Sequence, residues 1–218
     1  MAGNHAWVQA AVDTEDIDLG IRIAKMALDE GADWIEIGTP LIYQYGDGVI
    51  GTFRKKLGKD AILVADYKFV FPFGCMDHAE KEGADYAIFE AGYQTNLVQM
   101  CMEKAKNMHL VPIFYLCVHP QDYTYYADLY HEMGVRYFFT HHYYDVPDKE
   151  THQIVRCNNA EAFNACRNRI CYGITNDDFE SAKESVREGA SWIIFGKDIQ
   201  NADREACRRW IDMIHTTI

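Results

Sequence analysis

The stretch Glu30-Gly31-Ala32-Asp33-Trp34-Ile35 returns as Glu82-Gly83-Ala84-Asp85-Tyr86-Ala87-Ile88 and again as Glu188-Gly189-Ala190-Ser191-Trp192-Ile193. A looser copy is Glu132-Met133-Gly134-Val135-Arg136-Tyr137-Phe138. The glycines recur at a spacing of roughly 50 residues, the mark of an internal structural repeat. A helix that ends on a glycine able to take the left-handed conformation, followed at once by a short apolar strand, explains every copy.

Between these copies lies a second set of apolar runs: Val8 to Val12, Ala61 to Ala65, Leu110 to Leu116 and Ile170 to Tyr172. Polar stretches of helical periodicity separate the runs. They are Glu15 to Leu28, Gly48 to Leu57, Cys75 to Lys81, Asn96 to Asn107, Asp122 to Glu132, Ala160 to Arg167, Asp177 to Glu188 and Asp203 to His215. Four copies of strand–helix–strand–helix predict an α/β fold, a (β/α)8 TIM barrel forming one domain over residues 1–218. The strands are nearly unalternated, as suits a parallel sheet buried on both faces. A doubly wound open sheet would carry a glycine-rich turn after its first strand; Asp13-Thr14-Glu15-Asp16 stands there instead. His142 to Asn159, polar and containing Pro147, reads as a long loop after the sixth strand.

The chain has 218 residues, 21 basic against 33 acidic, for a formal charge of -12. That balance argues against nucleic acid or an anionic membrane as partner, though a local pocket can still hold a phosphate. Cys75, Cys101, Cys117, Cys157, Cys166, Cys171 and Cys207 form no C-x-x-C pair, so reduced thiols and a cytoplasmic location are expected. Met1 to Trp7 has neither the basic nor the apolar part of a targeting signal.

Barrel chemistry gathers at the C-terminal ends of the strands. Those ends carry Asp13, Glu36, Asp66 with Lys68, Glu90, His119, His141 with His142, Gly173, and Gly196 with Lys197. Glu36 and Asp66 each terminate an apolar strand, and two hard oxygen ligands so placed suit Mg²⁺. Lys68 is expected to share the side-chain sense of Asp66 along an extended strand and to serve as proton donor or as a cation facing a developing enolate. Asp13 has two readings, site residue or N-cap of the following helix. His141 is assigned to the site, His142 to the loop. Tyr172-Gly173-Ile174-Thr175 and Phe195-Gly196-Lys197 read as a phosphate cradle, on the two strands where barrels commonly hold phosphate.

At these residues the chain resembles the orotidine 5′-phosphate decarboxylase suprafamily, and within it 3-hexulose-6-phosphate synthase and 3-keto-L-gulonate-6-phosphate decarboxylase. Ala11-Val12-Asp13, Ile35-Glu36-Ile37-Gly38-Thr39-Pro40-Leu41-Ile42, Ala65-Asp66-Tyr67-Lys68, His141, Gly173-Ile174 and Gly196-Lys197 carry the likeness. The resemblance implies Mg²⁺ on Glu36 and Asp66, with Asp13, Lys68 and His141 near the reacting carbons. It also implies a substrate phosphate on Gly173, Gly196 and Lys197, and a homodimer. The implied activity is a carbon–carbon lyase, aldolase or decarboxylase, passing through the enediolate of a ketose phosphate. Three positions depart from the pattern. Phe71 stands where the strand 3 motif has a second Asp, Phe114 or Tyr115 where strand 5 has a carboxylate, and Lys197 where strand 8 has an Arg. An epimerase or isomerase of a phosphosugar, and a non-catalytic phosphosugar-binding barrel, are the competing readings.

Overall fold

A computed structural model describes residues 5–68, 72–141, 143–147, 151, 154–158, 171–175 and 178–217. Eight parallel strands close a barrel: β1 (Trp7–Val12), β2 (Trp34–Ile37), β3 (Ile62–Asp66), β4 (Tyr86–Ala91), β5 (Val111–Leu116), β6 (Tyr137–His141), β9 (Cys171–Thr175) and β10 (Trp192–Phe195). Between β6 and β9 in the chain, β7 (Tyr143–Pro147) and β8 (Ile154–Asn158) pair antiparallel as a separate ribbon. The strands alternate with helices, so the fold is the (β/α)8 barrel expected from the repeat.

The repeat works as a helix stop. Gly31, Gly83, Gly134 and Gly189 have φ of 106, 93, 95 and 104°, a region that side chains with a Cβ rarely enter. After each glycine the next amide reaches back five residues: Ala32 N–H to Ala27, Ala84 to Ala79, Val135 to Tyr130 and Ala190 to Ser185, all at 2.9–3.0 Å. That is the Schellman closure, which satisfies the last helical carbonyls and turns the chain into the sheet. The residue after it then joins the neighbouring strand. Asp33 N–H bonds Val8 C=O and Asp85 N–H bonds Leu63 C=O, at 3.0 and 2.9 Å. Both aspartates also accept the strand's first free amide on Oδ2, Val8 N–H and Leu63 N–H at 2.8 Å.

Two apolar layers result. One lies between the sheet and the helices; the other fills the barrel and includes Ala11, Trp34, Val64, Ile88, Ile113, Phe139, Trp192 and Ile194. At the end of the barrel where the strands begin, the filling is a stack of aromatic rings around Trp34. Its centroid lies 4.8 Å from Tyr86, 5.2 Å from Trp7 and 5.4 Å from Trp192. That end is therefore a packed floor, and the other end, where barrel sites generally form, is the one left open.

Several boundaries differ from the sequence reading. The loop expected over His142 to Asn159 contains the β7–β8 ribbon. Tyr143, Tyr144, Val146, Ile154 and Val155 are aromatic or β-branched, and Pro147 sits at the ribbon's end, where a missing N–H is tolerated. A helix over Thr39–Tyr45, with Pro40 in its first turn, precedes the expected helix Gly48–Leu57. The expected helix Ala160 to Arg167 lies outside the described residues. Cys75, Cys101, Cys117, Cys171 and Cys207 are all unbridged. Among the described residues, no helix is long and apolar enough to cross a membrane.

Candidate functional site

Strand alternation decides which side chains reach the mouth. Glu36 lies level with Ala11 of β1 and Val64 of β3. Two residues further along those neighbours stand Asp13 and Asp66, so all three carboxylates continue the inward-facing rows begun by Ala11, Trp34 and Val64. One carboxylate oxygen from each of Asp13, Glu36 and Asp66 lies within 4.8 Å of the others. Asp13 is not the N-cap of the first helix. Asp16 caps it, accepting the Asp18 and Leu19 amides at 2.9 and 3.0 Å.

Each carboxylate is held differently. Glu36 is buried, and the Gln9 amide donates to its Oε2 at 2.5 Å. Burial first, then the charges of Asp66 and Asp13, push the Glu36 carboxyl well above the usual range; Lys68 and Gln9 oppose them. Asp13, at the rim, is also pushed up by the loss of water around it and by Asp66, with Lys68 opposing. Asp66 is fully buried; its Oδ2 accepts from Thr39 Oγ1 at 2.9 Å and from the Lys68 ammonium. Its Oδ1 has no hydrogen-bond partner. Three carboxylates pressed together, with an orphaned buried oxygen among them, fit a hard divalent cation such as Mg²⁺.

Lys68 reaches this cluster by another route than the extended strand expected for it. β3 ends at Asp66, and Lys68 has φ of 54°, the one positive value outside glycine among the described residues. Tyr67 turns outward, is 2% exposed, stacks on Phe89 and donates to Asp47 at 2.7 Å. The left-handed turn folds Lys68 back onto Asp66, a strained conformation of the kind found at ligand sites. Burial lowers the basicity of Lys68, but Asp66, Glu36 and Asp13 outweigh it, so the side chain is an ammonium at neutral pH.

Gly38 permits the crowding. A Cβ there would stand 2.1 Å from Asp13 Oδ1 and 2.6 Å from the Val12 carbonyl oxygen. On the other side, Gln200 follows β10. With its amide oriented to satisfy both groups, it accepts Asp13 N–H at 2.9 Å and donates to Asp13 C=O at 3.3 Å. Gly38 and Thr39 belong to the strand 2 segment Ile35 to Ile42, whose sequence points to no separate role for either; nothing in the sequence marks Gln9 or Gln200.

The remaining candidates divide. Gly196 follows β10 as the N-cap of the next short helix, and a Cβ on it would lie 3.5 Å from Asp13 Oδ2; exposed Lys197 opens that helix. Gly173 sits two residues short of the end of β9. A Cβ there would meet the Trp192 indole at 2.1 Å, so packing of that ring accounts for the glycine. His141 is the last residue of β6, in register with Thr175 of β9. His142 and Phe71 lie outside the described residues. Tyr115, level with Glu90, faces the interior and stacks on Phe139 at 4.9 Å, whereas Phe114 packs outward. An aromatic ring thus fills the interior strand 5 position. Glu90 is half-buried and takes a hydrogen bond from Cys117, whose thiol is raised by burial and by that carboxylate.

No protein-family model matches the chain. Over 62 residues, 28% of this chain, it is 40% identical to the bifunctional enzyme Fae/Hps of Methanocella arvoryzae. That match spans 15% of the relative's length. Among solved structures, 3-hexulose-6-phosphate synthase from Salmonella typhimurium superposes with a TM-score of 0.78 at 18% identity, over 95% of this chain and 97% of that one. The 3-keto-L-gulonate-6-phosphate decarboxylase from Vibrio cholerae gives 0.70 at 18% identity, over 97% and 99%. At these identities the likeness shows a common fold.

Proposed function

We propose that the chain is a divergent member of the orotidine 5′-phosphate decarboxylase suprafamily. On this reading it is a Mg²⁺-dependent carbon–carbon lyase, aldolase or decarboxylase, acting on a ketose phosphate through its enediolate. The observation that carries the reading is the convergence of Asp13, Glu36 and Asp66 from three adjacent strands, with Lys68 turned onto Asp66. The fold shared with a hexulose-phosphate synthase and a ketogulonate-phosphate decarboxylase, and the short match to Fae/Hps, support it.

Glu36 and Asp66 would hold the ion, which supplies fixed positive charge for adjacent substrate oxygens. The chain's own residues supply the rest. Thr39 and Gln9 fix the two ligand carboxylates. Gln200 and Gly38 fix the backbone of Asp13 at the rim, where it meets the reacting carbons. Lys68, kept protonated by its neighbours, is a proton donor rather than a base, the role needed to quench an enediolate. His141 stands across the barrel from them at the end of β6. Gly196 and Lys197 would take the substrate phosphate beside Asp13; Gly173, level with Trp192 at the floor, is left out of that subsite. The reading also takes one domain, a homodimer and a cytoplasmic location.

The test is turnover with Mg²⁺ of hexulose 6-phosphate, of ribulose 5-phosphate plus formaldehyde, and of ketogulonate 6-phosphate, with the products identified. Turnover of none of the three would sink the lyase reading. Solvent deuterium entering a ketose phosphate without carbon–carbon cleavage would mark an epimerase or isomerase instead.

A further inference from the structure

The floor of the barrel carries a second convergence of ligating side chains, remote from the mouth. His5 lies just before β1, Asp33 just before β2, and His215 in the last turn of the C-terminal helix Arg204–Thr216. His215 Nε2 is 2.9 Å from Asp33 Oδ2, and His5 Nε2 is 3.8 Å from Asp33 Oδ1. One ligand atom from each of the three lies within 4.8 Å of the others. The two imidazole rings are 4.3 Å apart, centroid to centroid.

The second quarter of the barrel shows what this position does when it is purely structural. There Asp85, the counterpart of Asp33 in the repeat, accepts Leu63 N–H and pairs with Arg54 at 2.7 Å. A guanidinium satisfies the carboxylate and cannot ligate a metal. In the first quarter two imidazoles take its place, from opposite ends of the chain.

We propose that His5, Asp33 and His215 form a site for a borderline transition-metal cation of the Zn²⁺ class, which ties the start of β1 and the C-terminal helix to β2. Two imidazole nitrogens and one carboxylate are the donor set such ions take, with water as the fourth ligand. With metal–ligand bonds of about 2.0–2.1 Å, a tetrahedral ion holds its ligand atoms about 3.3 Å apart. His215 lies 2.9 Å from Oδ2 of Asp33 and His5 3.8 Å from Oδ1, with one ligand atom of each residue within 4.8 Å of the others, so side-chain rotation onto a shared Asp33 oxygen completes the site. Asp33 is already oriented by the Val8 amide at 2.8 Å, the outer support that metal-binding carboxylates generally have. The three side chains are 36, 24 and 23% exposed, open enough for an ion and a water to enter.

The test uses the tag-free chain, since a polyhistidine tag would bind the same ions. Zn²⁺ at about 100 times its dissociation constant is expected to raise Tm by about 5–10 °C. Co²⁺ is expected to give the visible bands of a four-coordinate ion. With excess Mg²⁺ present to occupy the carboxylates of the mouth, both signals should vanish in His5→Gln and His215→Ala and persist in Asp66→Asn. His215→Ala also removes a hydrogen bond to Asp33, so His5→Gln, which leaves that bond intact, is the deciding variant. Absence of any Tm shift or Co²⁺ band overturns the proposal. So does a response that survives in His5→Gln, or one that is lost only in Asp66→Asn.

Discussion

Replacing Gly38 by alanine tests the crowding at the mouth directly. The added methyl would stand 2.1 Å from Asp13 Oδ1 and 2.6 Å from the Val12 carbonyl oxygen. Ordinary non-bonded contact is roughly 3.5 Å, so even the backbone oxygen must retreat by about 0.9 Å. The Asp13 side chain can rotate; the carbonyl cannot move alone, because it also accepts the Gly38 amide at 3.1 Å. Overpacking of this kind costs about 1–3 kcal/mol, which for a chain of this size lowers Tm by about 2–12 °C. Activity should fall further, on the order of 100-fold, because an error of about 1 Å in a reacting group is enough for that. Thermal melting with and without Mg²⁺, beside the lyase assay, reads both. The double variant Asp13→Ala with Gly38→Ala relieves only the side-chain clash and should regain part of the lost Tm. If Gly38→Ala melts within about 1 °C of the parent, the reasoning is wrong. Full recovery in the double variant would mean instead that the backbone yields freely.

Other perturbations separate the remaining parts of the site. Glu36 has its carboxyl raised in the fold, so the stability it contributes is full below its unfolded value of 4.5 and lost as pH rises through the folded one. Without divalent ions, Glu36→Gln should therefore gain on the parent in urea unfolding as pH increases, while losing the parent's stabilisation by Mg²⁺; parallel stability–pH curves would contradict this. Thr39→Val removes the hydroxyl donated to Asp66 at 2.9 Å. It should cost about 1.5–3 kcal/mol in denaturant unfolding, and an unchanged midpoint would show that Asp66 is held otherwise. Gly173→Ala drives a methyl to 2.1 Å from the Trp192 indole and should lower Tm by about 2–12 °C, more if the ring cannot turn. An unchanged Tm would show that the indole turns aside freely.

The barrel was legible because its punctuation is local. Gly31, Gly83, Gly134 and Gly189 end helices by one hydrogen-bond pattern that needs no tertiary context, and the strand after each is apolar by necessity. The carboxylate cluster was half legible. Alternation along β1, β2 and β3 puts Asp13, Glu36 and Asp66 on one face, but their supports come from distant segments. Gln9 lies a strand away from Glu36, and Gln200 reaches Asp13 across 187 positions of sequence. The turn at Lys68 was hidden because a lysine with positive φ has no sequence signature. The indole over Gly173 depends on the register of β9 against β10, which no single strand encodes. The ribbon after β6 was missed because Pro147 and its polar neighbours outweighed two short β-branched runs.

The aromatic floor has a spectroscopic consequence. Three of the four tryptophans, Trp7, Trp34 and Trp192, meet there within contact distance, whereas Trp210 packs on the outside against Phe179 and Phe195. Trp34 and Trp192 are 3 and 0% exposed, so their emission reports an apolar, rigid surrounding. Excitation energy would pass readily among rings so close, depolarising the emission while the barrel is shut. Once the first and last strands part, transfer to and from Trp192 would end, while that between Trp7 and Trp34 would remain. The chain thus carries an unlabelled optical gauge of its own closure, placed at the seam where its two ends meet.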